Sequence, residues 1–134
     1  KIQEHVKRLS LENKVIFLGK IPFNDLFKIT HSADLGLSFE DNTCLSYRYS
    51  LPNKIFDYIN AEIPILVSDL PEFRNIIEAD NIGKVIRKRN PKDVSRQIND
   101  ILSFPKLHWM PGLKSAKNKY NWQNQESRLL SLFS

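Results

Sequence analysis

With 134 residues, 41% hydrophobic and 26% charged, the chain has the length and balance of one globular domain able to bury a core. Nothing approaches the roughly 18 consecutive apolar residues of a membrane-spanning helix. The net charge of +5 invites an anionic partner, while the lone Cys44 excludes an internal disulfide and a cysteine-based zinc site and fits a reducing compartment.

In chain order, Lys1 to Ser10 reads as a polar amphipathic helix. Val15-Ile16-Phe17-Leu18 is purely apolar, the pattern of a strand buried on both faces of a parallel sheet. A helix over Phe23–Thr30 and a strand at Leu35-Gly36-Leu37 follow. The stretch from Phe39 to Leu51 then reads as a loop of about a dozen residues, a length often reserved for function. It leaves the carboxyl end of a strand, where open parallel sheets bind ligands, and leads to a helix over Pro52–Ala61.

Beyond that helix, Ile65-Leu66-Val67 and Lys84-Val85-Ile86 read as further strands, separated by a helix over Glu72–Glu78. Asp69-Leu70-Pro71-Glu72 has the form of a capping box for that helix. Asn90 caps the next, over Pro91–Ser103, with Pro91 first and Asp93 in the first turn. Val94, Ile98, Ile101 and Leu102 form its apolar face. After Phe104 the pattern is helical only: Lys114 to Tyr120 is polar, and Trp122 to Phe133 is amphipathic through Leu129, Leu130, Leu132 and Phe133. Such alternation predicts an α/β, doubly wound, Rossmann-like parallel sheet with helices on both faces, followed by C-terminal helices.

The basic run from Lys84 to Lys92 lacks a recognition helix, a zinc finger and an aromatic RNA-binding signature, so no nucleic-acid partner is expected. Only four glycines are present, and they form neither GxGxxG nor GxxxxGK[ST]. An anion site is expected instead where the third helix, over Pro52–Ala61, opens. Pro52 and Asn53 begin a helix whose free N–H groups and dipole attract an anion, and Lys54 adds a full charge. Asp57, three residues on, shares a face with Lys54 and Ala61, while Phe56, Ile59 and Ile63 form the buried stripe. An acid there can accept hydrogen bonds from ribose hydroxyls. The same pair can equally be an exposed i, i+3 pair worth a few tenths of a kcal/mol, and the pattern alone leaves both open.

The string LPNKIFDYINAEIPILVSDLPE, from Leu51 to Glu72, resembles the P-x-K-x-x-E-Y-x-A-x-G-x-P-V-I-x-S-D segment of GT-B fold "group 1" glycosyltransferases. KVIFLGKIPFNDLFKITHSADLGLS upstream, and NIGKVIR and YNWQNQESRLLSLF downstream, resemble further segments of that family in the same order. The resemblance runs from about Val15 to Phe133 and implies a donor-binding domain over 1–134, incomplete on its N-terminal side.

It implies that Asp57 stands where a Glu binds the ribose of a UDP- or GDP-sugar. It implies that Pro52, Asn53 and Lys54 face the diphosphate, and that Gly19, Lys20 and Ile21 line the base. A strand-ending glycine such as Gly19 also lets backbone approach a flat ligand, or simply makes a turn. Three positions depart from the family pattern. Asp57 is one methylene shorter than Glu. Glu62 replaces a glycine. Tyr49 stands where many relatives carry a second Glu, leaving Glu40 and Asp41 as candidate sugar contacts.

The resemblance further implies transfer of the sugar to a glycan or lipid-linked acceptor in polysaccharide biosynthesis, with no cofactor and no metal. The acceptor would be held by a separate N-terminal domain, so this chain alone is expected to be inactive. The implied place is the cytoplasm or the inner face of the membrane, and peripheral membrane association is admitted. No catalytic residue is assigned, because His5, His31 and His108 lack a matching context, and Tyr120 and Trp122 read as packing anchors. The alternatives are a nucleotide-sugar epimerase, for which no acid/base residues are evident, and a non-catalytic binding or scaffold module.

Overall fold

The structure, a computed structural model, describes residues 2–39 and 53–120. Six helices and three strands are present among them: α1 (Ile2–Arg8), α2 (Phe23–Ser32), β1 (Gly36–Ser38), α3 (Asn53–Asn60), β2 (Ile65–Ser68), α4 (Pro71–Asp80), β3 (Gly83–Ile86), α5 (Pro91–Ser103) and α6 (Lys106–Lys119). The strands form one parallel sheet in the order β1-β2-β3. Leu66 pairs with Leu37 on one side and Lys84 on the other. The fold is therefore the expected α/β, Rossmann-like arrangement.

As the central strand, β2 is buried at all four positions, which accounts for its unbroken apolar run. Around it pack Ile55 and Ile59 of α3, Phe73 and Ile77 of α4, Ile101 of α5, and Trp109 and Leu113 of α6. Each such side chain contributes about 1.5–3 kcal/mol by leaving water. The helix α6 lies against both α3 and α4. Gly112 permits the approach to α4: a Cβ there would stand 1.8 Å from the Asp80 carbonyl oxygen. Gly36 is equally constrained, since a Cβ would meet the Tyr58 ring at 2.5 Å.

Helix starts are partly as expected. The Asn90 side chain accepts from the Asp93 N–H at 2.9 Å, so the cap of α5 forms. The capping box at Asp69 does not. Leu70 is the residue preceding α4 and supplies no side-chain cap, which leaves Asp69 one position too far out. Its carboxylate instead accepts from Arg74 Nε at 2.7 Å. The polar stretch expected from Lys114 to Tyr120 forms, up to Lys119, the end of a longer helix, α6, which is anchored by the buried Trp109, Leu113 and Ala116.

The expected first strand is absent. Residues 15–18 form no strand or helix, and all four side chains are exposed, Ile16 to 77%. An apolar run becomes a buried strand only beside a neighbour that accepts its ladder hydrogen bonds, and among the described residues β1, β2 and β3 pair only with one another. The expected loop after β1, beyond Phe39, and the amphipathic stretch at 122–133 lie outside the described residues.

Candidate functional site

Parallel strands end on one edge, and the register brings Ser38, Val67 and Val85 level there. The helix α3 precedes β2, so its N-terminus opens on that same carboxyl edge. Lys54 lies exposed in its first turn. Asn53 is the first helical residue, and Pro52 lies outside the described residues.

Asp57 follows one turn later and turns toward α2. It lines a cavity of about 100 Å³ with Phe23, Leu26, Phe27, Thr30 and Asn60. Burial beside these groups raises its pKa above the ordinary carboxylate value of 3.8. Among the described residues no ion pair joins Lys54 to Asp57. The rotation of α3 corrects the expected stripe: Ile55 and Ile59 face the core, Phe56 is half-buried against Tyr120, and Ala61 is buried rather than sharing an exposed face with Asp57.

Tyr58 was not foreseen. Its hydroxyl donates to the Leu37 carbonyl at 3.0 Å, which pins α3 to β1 and so orients the neighbouring Asp57. Burial raises the Tyr58 pKa; the Leu37 hydrogen bond lowers it and the Asp57 charge raises it. Gly19 sits at φ +64° with open space where a Cβ would be, a left-handed turn. The exposed Lys20 and half-buried Ile21 follow, and the chain then enters α2 at Phe23, in the wall of the Asp57 cavity. Glu40 and Asp41 lie outside the described residues.

Residues 1–117 match the family model described as glycosyl transferases group 1. The chain belongs to that family. No curated protein matches it.

For a group 1 glycosyltransferase the chemistry is glycosyl transfer, and open parallel sheets as a class bind ligands at the carboxyl edge. Glu62, where the family pattern has glycine, adopts φ +57°, so the position does demand a left-handed backbone. Its carboxylate is paired with Lys117 Nζ at 3.4 Å. A second residue missed by sequence reasoning is Arg89. Its guanidinium lies 6.0 Å from the centre of the Phe39 ring. Phe39 follows β1 and Arg89 follows β3, strands two spacings or about 10 Å apart, so the two side chains meet across the end of β2. The only sequence signal for it was a basic triplet directly after a strand. Among the described residues no group of His, Cys, Asp and Glu forms a metal cluster, and no helix is long and apolar enough to cross a membrane.

Proposed function

We propose that the chain binds the nucleoside diphosphate sugar of a glycosyltransferase, UDP- or GDP-linked, at the carboxyl edge beside α3. The observation that carries this reading is the placement of Lys54 and Asp57 on α3, one turn apart and not paired to each other. The helix N–H groups and Lys54 face the diphosphate and stabilise the charge that grows on it as the glycosidic bond breaks. Asp57 accepts from the ribose hydroxyls, and Gly19, Lys20 and Ile21 line the base. The acceptor, a glycan or lipid-linked glycan of polysaccharide biosynthesis, comes from a second domain facing this edge. The chain alone therefore binds donor without turning it over. Such an acceptor fits a place in the cytoplasm or at the inner face of a membrane.

Calorimetric titration with nucleoside and nucleoside diphosphate tests this. Lys54→Ala is expected to weaken the diphosphate by about ten- to a hundredfold and spare the nucleoside, because hydrogen bonds to charged groups are worth ~1.5–3 kcal/mol. Asp57→Asn is expected to weaken both alike. Unchanged affinities in both variants would reduce the pair to an exposed helix face.

A further inference from the structure

The net charge of +5 is not spread evenly. Of the 20 basic and 15 acidic residues, six and one lie within residues 84–96, so this stretch carries the whole net charge and the rest of the chain balances. The fold gathers part of it around one concavity. Arg87 and Lys88 leave the carboxyl end of β3, and the first turns of α5 bring Asp93, Arg96 and Gln97 back beside them. Together they line an open hollow of about 360 Å³.

The charges in the hollow are unequally committed. Asp93 is held by Arg96 and by Asn90 Nδ2, the latter at 2.6 Å. Arg87 reaches Glu78 only at 4.0 Å, and Lys88 has no ion pair among the described residues. Gln97 Oε1 is buried and accepts no hydrogen bond. A buried acceptor left unmet costs stability, so a small rotation that turns the Gln97 amide into the hollow to meet a ligand donor would be favourable.

We propose that this hollow between β3 and α5 is a second binding site, for a sugar bearing a phosphate or carboxylate group. The Arg87 and Lys88 cations hold the anionic group, and the Gln97 amide takes a hydroxyl of the same ring. No aromatic side chain lines the hollow, so it lacks the stacking platform used for single-stranded nucleic acid. Its walls are concave, so a flat bilayer would reach only the rim. The hollow adjoins the strand two spacings, about 10 Å, from β1, so a short acidic glycan can span from it toward α3. That the glycan bound here is part of the acceptor presented by the second domain rests on the donor reading above; the binding itself does not.

Calorimetry on the whole chain with an oligogalacturonate hexamer, against neutral maltohexaose, tests the site. The acidic hexamer is expected to bind and the neutral one not. Arg87→Gln with Lys88→Gln should weaken it about tenfold or more, whereas Lys28→Gln with Lys114→Gln, the same charge change elsewhere, should cost less than about twofold. Gln97→Leu should weaken binding a fewfold without changing its salt dependence. Displacement of the hexamer by glucose 6-phosphate, more than by glucose, would extend the site to phosphate; equal displacement by both would contradict anion recognition.

Thermal melts establish that each variant is folded. Equal losses in the two double variants would mean general charge attraction and overturn the proposal. So would equal binding of the two hexamers, no binding of the acidic one, or tighter binding to anionic phospholipid vesicles. Nucleoside diphosphate affinity is expected to be unchanged in the hollow variants, so a failure of the donor reading shows separately, as loss of nucleotide binding in the unmutated chain.

Discussion

Asp57 and Glu62 stand five residues apart, and each carries a local penalty whose removal can be measured. Burial raises the Asp57 pKa above its unfolded value of 3.8, so the fold favours the protonated form. That contribution is complete below the unfolded pKa and is lost as pH rises through the folded one. Asp57→Asn should therefore raise Tm slightly at pH 7, on the order of 1 °C because solvent screens the site, and leave it unchanged below the carboxylate range. Melts across pH decide this, and an equal shift at every pH would discount the burial account. Glu62 sits at φ +57°, which costs a residue with a Cβ about 1–2 kcal/mol. Its surface pair with Lys117 returns less than about 1 kcal/mol. Glu62→Gly is thus expected to raise Tm by a few degrees, and Glu62→Ala to lower it.

At the scale of elements, the run at 15–18 has the composition of β2 and a different fate. A strand buried on both faces of a parallel sheet needs a paired neighbour, and the described strands pair in the order β1-β2-β3 without the run. None of the described strands is that neighbour. The apolar side chains consequently stay in water, with Ile16 77% exposed against 0% for Leu66. Ile16→Glu is expected to change stability by less than about 0.5 kcal/mol, and Leu66→Ala to lower it by about 2–5 kcal/mol. Denaturant melts of the two variants measure the contrast. Comparable losses would show that the run is buried after all.

For the molecule as a whole, the core is concentrated in its later part. Every residue of the main buried cluster falls between Ile55 and Ala116, and Val6 is the one buried hydrophobic before it among the described residues. The helix α2 buries none of its residues, although it stands beside α3. Cooperative stability should follow that division. Amide exchange is expected to require global opening in β2 and β3 but only local opening in α2 and at 15–18. Protection of 15–18 equal to that of β2 would refute this.

What the amino-acid order determines on its own is local. The apolar run of β2, the Asn90 cap before Pro91, and the spacing of Pro, Lys and Asp at the start of α3 are all short-range patterns, and each was legible. So was the string that resembles the group 1 glycosyltransferases, now matched over residues 1–117. Tertiary structure decided what depends on partners distant in the chain. Periodicity can show that 15–18 suits a strand, but pairing needs a neighbour with free backbone groups. It can show that α3 is amphipathic, but a shift of one residue turns a helix by 100°, and packing on β1 and β2 chose Ile55 over Phe56. The meeting of Arg89 with Phe39 and the hollow shared by Lys88 and Gln97 exist only because the sheet order and the return of α5 bring those side chains together.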